Sequence, residues 1–495
     1  MEASLVPLVV ATVSAVLTSL ALPKANLPVL APIGAAGLFW AVIGSSPRRG
    51  FLIGFWAGAV YFSLAFSWFS ETAGTYIAPF GFALVLAPAL LEALAFATAG
   101  ALVAFAWRRA AVPLAPLAAA AAFAGLEWLR SIGPLGLPFG NLSYSQVASP
   151  LAPLGAFIGS FGITFALCVP AAYVAALLRA PRDGALRRAT VVAVLGVLVA
   201  LAGAWWAWPA RRIDTPTVHV AAIQGNIPQT IKWTPAAFEL ARTRYAAMTR
   251  AAASSGPRLI LWPETVLTTD LNLFPGLVTS TATLARQARA TLMVGAKQST
   301  PSGEYNSLYV FRPDGTLGGI YQKRLLVPFV ETLPAPWVFG RLPVASLISR
   351  FRAGDSSGVT DIGGFRVAPL ICWESAFDGA AHRAVRDGAQ ALVLSTDDAW
   401  FGTTAGPFQH AEIAQMRAIE NGTWILRAAA TGVSGIVAPN GRYVRTAPLN
   451  TKRIVRGAIG LPQPTLYATL GAGPIAFALF ALYAAIVTLG KRRYR

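Results

Sequence analysis

The sequence predicts a multi-span α-helical membrane domain of eight transmembrane helices, with an extracytoplasmic α/β domain inserted before the last helix. Apolar residues make up 55% of the 495 residues and charged residues only 12%, where an average soluble domain has roughly 25% charged residues. Long apolar runs fill the first part of the chain and return near its carboxyl end, and the stretch between them changes to short β-like runs and amphipathic segments. This change of pattern predicts two structural classes within one chain.

Eight apolar segments approach the length of about 20 residues that a helix needs to cross the hydrocarbon core of a bilayer. They lie at 5–22, 27–44, 51–70, 82–106, 111–126, 155–178, 189–208 and 467–490. Pro and Gly interrupt or closely flank the second, fifth and sixth segments. The first segment lacks the basic leader of a signal peptide, so we expect it to be retained as a helix.

The positions of the basic residues explain the net charge of +19. They cluster after the even-numbered segments, at Arg48, Arg49, Arg108, Arg109, Arg179, Arg182, Arg187, Arg188 and from Lys491 to Arg495. The alternate connections hold Lys24, Arg130 and almost no other basic residue. By the positive-inside rule, this alternation predicts that both termini are cytoplasmic. It also removes most of the support for nucleic-acid binding, for which the sequence has no RNP or zinc-finger pattern.

The alternation divides the chain into three parts. We expect a transmembrane domain of seven helices at 1–210, an extracytoplasmic domain at 211–462, and an eighth transmembrane helix with a basic cytoplasmic tail at 463–495. In the middle part, strands are predicted at "TVHVAAIQGNIP", "RLILWPET", "ATLMVGA", "FRVAPLICWES" and "ALVLSTDDAWFG", helices near 235–254, 276–289, 376–387 and 408–421, and hairpin turns at Pro313–Gly315 and Asn440–Gly441. Strands that alternate with helices predict a layered α/β domain.

Three polar residues of this domain, Glu264, Lys323 and Cys372, follow apolar strands, where layered α/β folds place their sites. A thiol, a carboxylate that accepts its proton, and an ammonium that lowers the thiol pKa and stabilises an oxyanion are the minimum set for acyl transfer through a thioester. The other cysteine, Cys168, lies inside the sixth apolar segment, so we expect Cys372 to stay outside any disulfide. Each residue also has a simpler explanation, as a small core residue for the cysteine and as salt-bridge partners for the other two.

The motifs around these residues resemble a known family. "WPET", the Lys of "YQKRLLVPFVE" and the Cys of "ICWES" resemble, in order and spacing, the Glu-Lys-Cys triad of the nitrilase superfamily. Longer motifs are similar to those of apolipoprotein N-acyltransferases, namely "QGNIPQTIKW", "LVPFVE", "DAWFGTTAGPFQHAEIAQMRAIEN" and "GLEWLRSIGPLGLPFGNLSYSQ". The resemblance spans nearly the whole chain.

This resemblance implies a nitrilase-like α-β-β-α sandwich for residues 211–462, on the periplasmic side of the bacterial inner membrane. It implies that Cys372 takes an acyl chain from the sn-1 position of a phospholipid and passes it to the diacylglyceryl-cysteine amine of an apolipoprotein, in ping-pong order. Glu264 would be the general base and acid, and Lys323 the oxyanion stabiliser. We expect a monomer with no cofactor and no metal ion.

The resemblance also implies roles for Glu331 and Trp233, and the other supporting residues are expected from their positions in the sequence. Glu331 would orient the ammonium of Lys323, and Trp373 and Glu374 would border the oxyanion. Contacts with lipid or substrate are expected from Trp233, Trp337, Phe339, Trp400 and His410. Two of these have simpler alternatives, because Trp233 also suits a core and His410 a structural role.

Three residues depart from the family pattern. Trp373 stands where Tyr or Phe is usual, Val330 where Gly is usual, and Asp397 where Asn is usual. Val330 should stiffen its loop. Asp397 is the larger change, because we expect it to add negative charge near the thiol and raise its pKa.

The Pro- and Gly-rich loop at 333–358 has two interpretations. It carries Trp337, Val338, Phe339, Leu342, Leu347 and Ile348, which favour a mobile lid that dips into the outer leaflet, with Arg341, Arg350 and Arg352 near lipid phosphates. The simpler interpretation is a loop that packs on its own domain.

Two acidic residues lie within or next to the apolar segments. Glu92 is an intramembrane carboxylate, which favours either a role toward lipid headgroups or hydrogen bonding between helices. Glu127 and Arg130 are three residues apart and are expected to pair with each other.

Three rival functions stay open at this point. A transporter would need more intramembrane carboxylates and inverted halves, which the sequence does not show. A membrane-bound amidase would use the same acyl-enzyme chemistry with water as the acceptor. A catalytically dead scaffold is kept open by Asp397.

Overall fold

The computed structural model describes residues 5–71, 81–208, 217–341, 345 and 348–490, with the backbone alone for 81–84. The chain forms two compact units. The helical unit comprises Met1–Trp208, Thr404–Glu412 and Thr465–Arg495, and the α/β unit comprises Pro209–Thr403 and Ile413–Pro464.

The helical unit contains an apolar helix at each of the eight predicted segments. These helices span Val6–Leu20, Leu30–Val42, Pro47–Ala65, Gly81–Arg109, Ala115–Leu129, Gly155–Arg179, Gly184–Ala207 and Ala472–Leu489. Among the described residues, four stretches are long and apolar enough to cross a membrane, namely Val85–Arg109, Ala152–Arg179, Gly184–Ala207 and Ala472–Leu489. The helical character of the predicted segments is therefore confirmed, and four of the described helices are both long and apolar enough to span a membrane.

Buried charged side chains join different segments of the helical unit. The guanidinium of Arg130 donates to a carboxylate oxygen of Glu92 at 2.8 Å. Glu127 instead accepts hydrogen bonds from the backbone N–H of Leu142 at 2.7 Å and from the hydroxyl of Thr164 at 2.5 Å. The expected pairing of Glu127 with Arg130 is wrong, because each group finds a closer partner on another segment. For Glu92, the structure shows the interhelical hydrogen bond.

The α/β unit contains two sheets. Its strands are β1 Val218–Gln224, β2 Leu259–Leu261, β3 Leu267–Asp270, β4 Thr291–Thr300, β5 Gly303–Phe311, β6 Leu317–Gln322, β7 Thr360–Asp361, β8 Arg366–Ile371, β9 Ala391–Thr396, β10 Trp424–Ala429, β11 Gly435–Val437, β12 Tyr443–Thr446 and β13 Arg453–Ile459. The first sheet has the order β13-β1-β2-β4-β5-β6, with β3 paired to β4, and the second has the order β12-β11-β10-β9-β8-β7. Strands β1, β2 and β4 are parallel, as are β8, β9 and β10.

The two sheets pack face to face between layers of helices. Apolar side chains of both sheets, such as Leu308 and Val393, form one buried cluster between them. Helices Pro235–Ala253 and Pro275–Ala288 cover the outer face of the first sheet. Helix Asp378–Arg386 and the part of helix Gly406–Asn421 from Ile413 onward cover the second. Strands covered on both faces explain the continuous apolar runs of the sequence, and the layers form the expected α-β-β-α sandwich.

Most predicted elements of this unit are confirmed, and four strands were missed, namely the short β3 and β7 and the longer β10 and β13. Both hairpins are present, since β5 pairs with β6 and β11 with β12, each in antiparallel fashion. Strand β10 was missed because Arg427, in its middle, suggests exposure, yet this side chain is buried and donates to Asp398 at 2.7 Å. Strand β13 was missed because it pairs with β1, a partner more than 200 residues away in the sequence.

Candidate active site

The three residues predicted to carry the chemistry lie just past the ends of three strands. Glu264 follows β2, Lys323 follows β6 at once, and Cys372 follows β8 at once. Strand β2 lies inside the first sheet and β8 inside the second. The electrostatic fields of Glu264 and Lys323 both act on the thiol of Cys372. The fold therefore brings residues from distant parts of the sequence into one site.

Cys372 sits in a strained turn. It opens the short 3₁₀-helix Cys372–Ala376, and its φ of +49° lies in the left-handed region. For a residue with a Cβ, such a conformation costs about 1–3 kcal/mol and persists only where the surrounding structure imposes it. The thiol is half-buried and forms no disulfide. This turn ends the strand abruptly and places the cysteine at the carboxyl end of β8.

Lys323 is the centre of a buried network of hydrogen bonds. Its side chain is 1% exposed, and its ammonium donates to Glu264 Oε1 at 3.0 Å and to Glu331 Oε1 at 3.0 Å. The side-chain amide of Asn306 donates to the same two oxygens, at 2.7 Å on Glu264 and 2.8 Å on Glu331. The backbone N–H of Val327 donates to Glu331 Oε2 at 2.9 Å. The expected role of Glu331 in orienting Lys323 agrees with this geometry.

The buried charges in this network stabilise one another. Burial lowers the pKa of Lys323, but the carboxylates of Glu264 and Glu331 outweigh burial and hold this pKa well above its ordinary value. Burial raises the pKa of Glu264, but the ammonium of Lys323 outweighs it and holds the pKa below its ordinary value. At neutral pH the site therefore contains a carboxylate that is able to accept a proton beside a permanently charged ammonium.

The thiol of Cys372 is protonated in the resting site. Burial raises its pKa, the carboxylate of Glu264 raises it further, and the ammonium of Lys323 lowers it only in part, so the pKa stays well above its ordinary value. The expected lowering by Lys323 is present but does not dominate. The carboxylate of Asp398 also raises this pKa, and Asp397 forms a buried ion pair with Lys232. A protonated thiol needs a general base before it can act as a nucleophile.

Glu374 ties the strand that leads to Cys372 to the segment that carries Lys323. It is fully buried and accepts hydrogen bonds from the backbone N–H groups of Ile371 at 2.7 Å and Arg324 at 2.8 Å. The hydroxyl of Tyr321 donates to both of its carboxylate oxygens, at 2.8 and 2.9 Å. Burial raises the pKa of Glu374, and these donors lower it in part. Glu374 therefore supports the site by connecting these two segments.

The aromatic residues predicted around the site differ in exposure. Trp233 is 47% exposed and Trp337 is 83% exposed. Phe339 is partly buried and packs edge-on against Phe329, with ring centroids 5.2 Å apart. Trp373 is buried and packs edge-on against Phe377. Trp400 is partly exposed, in the 3₁₀-helix Asp398–Phe401.

The predicted lid is only partly apolar on its surface. Val338 is exposed beside Trp337, but Ile348 is buried. Leu342 and Leu347 lie outside the described residues. The exposed tip agrees with the lid interpretation, and the buried Ile348 agrees with packing on the domain itself.

His410 belongs to the helical unit. It is buried, and its ring lies 5.9 Å from that of Phe139 by centroid distance. Within the described ranges, no group of three or more His, Cys, Asp or Glu side chains is arranged to hold a metal ion.

Sequence reasoning missed two polar residues of the site. Asn306 lies inside β5, and nothing local in the sequence distinguishes it from an exposed polar residue of a strand. In the structure it is buried, and its side-chain amide donates to two carboxylates. Lys232 lies in the motif "QGNIPQTIKW", whose sequence alone does not indicate a role for it. Its burial and its contact with Asp397, 165 residues away, are visible only in three dimensions.

Comparisons with known proteins give family matches for both the helical part and the α/β part of the chain. Residues 219–468 match the carbon-nitrogen hydrolase family, and residues 14–173 match the apolipoprotein N-acyltransferase N-terminal domain. An apolipoprotein N-acyltransferase from Photobacterium profundum is 30% identical, over 99% of this chain and 97% of that protein. One from Azotobacter vinelandii is 33% identical, over 87% of this chain and 84% of that protein.

Among solved structures, an amidase from Nesterenkonia sp. is similar to this chain with a TM-score of 0.40 and 18% identity, over 51% of this chain and 94% of the amidase. The full-length relatives at 30% identity or more, together with the two matched families, decide the classification. This chain belongs to the apolipoprotein N-acyltransferase family, whose members are membrane acyltransferases of the nitrilase superfamily.

Proposed function

We propose that this enzyme transfers an acyl chain from the sn-1 position of a phospholipid to the amine of the S-diacylglyceryl-cysteine of an apolipoprotein, through a thioester on Cys372. The observation that carries the proposal is the buried ammonium of Lys323, held between Glu264 and Glu331 beside a half-buried thiol in a strained turn. Membership of the family supports the choice of acceptor. The many apolar helices support a function with lipid-anchored substrates, because an enzyme that acts on a soluble amide would not require them.

In the first half-reaction, Glu264 accepts the thiol proton while the sulfur of Cys372 attacks the ester carbonyl of the phospholipid. The negative charge that develops on the carbonyl oxygen is stabilised by the ammonium of Lys323 and by a backbone N–H at Trp373 or Glu374. When the tetrahedral intermediate collapses, the carbon–oxygen bond to glycerol breaks and Glu264 returns its proton to the leaving oxygen. Lysophospholipid leaves, and the acyl chain stays on sulfur.

In the second half-reaction, the amine of the diacylglyceryl-cysteine attacks the thioester carbonyl. Glu264 accepts a proton from the amine, and the carbon–sulfur bond breaks. The proton then passes to the thiolate of Cys372, which restores the resting thiol, and an amide is released. Because lysophospholipid leaves before the acceptor enters, the kinetics are ping-pong.

The arrangement in the membrane is part of the proposal. We propose eight transmembrane helices, cytoplasmic termini, and a periplasmic catalytic domain at 211–462 between a seven-helix domain at 1–210 and the last helix with its tail at 463–495. The alternating basic connections and the helical segments support this topology. We propose that the enzyme acts as a monomer.

Lipid contacts are proposed for the exposed aromatic residues of the α/β unit. Trp233 and Trp337 are exposed on this unit and suit the interfacial region of a bilayer, and Phe339 lies beside Trp337 on the same short helix, Pro336–Phe339. Trp400 is proposed to contact substrate through its partly exposed ring. His410 is buried against Phe139, which favours a structural role over a substrate contact.

Intact-protein mass spectrometry tests the thioester. Wild type, Cys372→Ala and the matched control Cys168→Ala are each incubated with phospholipid and no acceptor. Cys168 is buried in a helix, so its removal should leave acylation intact. We expect wild type and Cys168→Ala to gain one acyl mass and Cys372→Ala to gain none.

Addition of a diacylglyceryl-cysteine peptide should then discharge the acyl mass and produce acyl peptide. If water discharges the adduct as fast as the peptide does, the enzyme is a hydrolase of the amidase kind. If no adduct forms on the wild type, acyl transfer through Cys372 is contradicted.

A further inference from the structure

A buried ion pair outside the predicted triad joins three loops of the α/β unit. The ammonium of Lys232 donates to a carboxylate oxygen of Asp397, and both side chains are at least nine-tenths buried. Lys232 follows β1, and Asp397 follows β9. The same ammonium donates to the hydroxyl of Thr265 at 2.9 Å and to the backbone oxygen of Glu264 at 3.4 Å. One lysine therefore contacts the loops that follow β2 and β9.

We propose that Lys232 and Asp397 form a positioning pair, which holds the carboxylate of Glu264 in the orientation that accepts the proton of Cys372. This inference rests on the role proposed above for Glu264. It adds two residues that act through Glu264 rather than on the substrate.

The hydrogen bonds of Glu264 show what the pair positions. Its Oε1 accepts from Lys323 and from Asn306, so the lone pairs of this oxygen are already engaged. Its Oε2 accepts from the backbone N–H of Asp397 at 2.9 Å. Oε2 is therefore the oxygen with remaining capacity for the thiol proton, and the residue that aims it is Asp397.

The pair also balances charge around Glu264. Two ammonium groups, Lys323 and Lys232, and the carboxylate of Asp397 act on it, and the thiol of Cys372 is coupled to it. Glu331 neutralises Lys323 from its other side. Lys232 lowers the pKa of Glu264, and Glu264 raises the pKa of Asp397. Removal of either member would leave the other as an unmatched buried charge beside Glu264.

The pair also anchors the loop that carries an exposed aromatic residue. Trp233 follows Lys232 directly, and the ammonium of Lys232 lies 5.7 Å from the centre of its ring. Thr234 then caps helix Pro235–Ala253 by accepting a hydrogen bond from the backbone N–H of Ala237 at 3.2 Å. The ammonium of Lys232 thus contacts both the ring of Trp233, a proposed lipid contact, and the backbone of Glu264, the proposed general base.

Neutral variants of the two members separate this role from simple structural support. Lys232→Gln leaves Asp397 unmatched beside Glu264, which raises the pKa of Glu264 and moves the acid limb of thiol reactivity to higher pH. Asp397→Asn leaves Lys232 unmatched, which moves the same limb to lower pH. The double variant should restore a position near that of the wild type. Loss of structural support alone would not move the limb in opposite directions.

The experiment measures two quantities on the full chain in detergent. The first is the rate at which iodoacetamide alkylates Cys372 as a function of pH, which reads the protonation of Glu264 without any lipid. The second is the rate at which phospholipid acylates Cys372. For acylation, we expect Lys232→Gln to lose on the order of 10²-fold, as for a general base that is misplaced by about 1 Å. Lys232→Arg, which keeps the charge, should retain most of the rate.

Lys297→Gln is the matched control. Lys297 lies 5.3 Å from the centre of the same Trp233 ring, so this variant removes a cation near Trp233 while the contacts with Glu264 remain. We expect it to leave the alkylation profile unchanged.

Opposite shifts in the two single variants, with recovery in the double variant, support the positioning pair. Shifts in the same direction, no shift, or an equal effect of Lys297→Gln would overturn it. Failure of the proposed function looks different, because wild type would then not be acylated by phospholipid while the opposite shifts in alkylation persist.

Discussion

Replacement of Glu374 by Gln tests whether the two sheets hold the lysine and the thiol in register. Glu374 accepts from Ile371 N–H through Oε2 and from Arg324 N–H through Oε1, while Tyr321 donates to both oxygens. Tyr321 and Arg324 flank Lys323 in the sequence. A carboxylate satisfies all of these donors, because an ionised carboxylate is acceptor-only.

A glutamine keeps the shape of Glu374 but replaces one oxygen by an amide that donates. Whichever way this amide lies, it faces the backbone N–H of Ile371 or of Arg324, and one buried donor loses its acceptor. A hydrogen bond to a charged group contributes about 1.5–3 kcal/mol, and a buried donor left unpaired costs about 1–3 kcal/mol. Burial raises the pKa of Glu374, which shows that desolvation opposes the anion. We therefore expect a loss near the two lower limits taken together, about 2.5 kcal/mol.

Two measurements check this expectation. Thermal unfolding in detergent should occur at lower temperature in Glu374→Gln, and acylation of Cys372 by phospholipid should slow on the order of 10²-fold, because Lys323 shifts by a fraction of its side-chain length. The matched control is Glu239→Gln, since Glu239 is exposed and pairs only at the surface with Arg242. A surface change of this kind should alter stability by less than about 0.5 kcal/mol. If Glu374→Gln unfolds and reacts like the control, Glu374 does not hold the site together.

Four further predictions concern the base, the thiol and the core. Glu264→Gln should slow acylation on the order of 10²–10⁴-fold, and an unchanged rate would contradict its role. Because Lys323 lowers the pKa of Glu264, the stability from its charged form should be present above the unfolded pKa and lost as pH falls through the lowered folded value; a pH titration of thermal unfolding checks this. Burial and Glu264 raise the pKa of Cys372. The rate of alkylation by iodoacetamide should therefore still increase as pH rises beyond about 8.5, the ordinary pKa of a thiol. A rate that has already reached its plateau at that pH would contradict the raised pKa. Leu308→Ala should destabilise the α/β unit by about 2–5 kcal/mol in denaturant, whereas the exposed Leu273→Ala should not, and equal losses would argue against a core at Leu308.

Much of the fold follows from local patterns. The eight apolar segments are helical, and both hairpins form where Pro313–Gly315 and Asn440–Gly441 predict turns. These features depend on neighbours within a few residues, so they can be predicted from the sequence alone. Strand β13 is different, because its residues become a strand only when β1 is beside them.

The candidate site shows the same division. Sequence order and motif placed Glu264, Lys323 and Cys372 at strand ends, and the structure brings Lys323 within 3.0 Å of Glu264. Asn306 and Lys232 were not recognised, since a lone polar residue next to an apolar run does not indicate its partner. Their partners lie 42 and 165 residues away.

The sequence by itself determined the class of each segment, the membrane character of the chain and the residue types of the triad, because apolar periodicity and strand-end position are local properties. Only the tertiary structure decided the pairing of charges. Arg130 contacts Glu92 instead of Glu127, and Asp397 contacts Lys232. A buried charge requires a partner at hydrogen-bond distance, and the distances between residues far apart in sequence are set by the packing of sheets and helices.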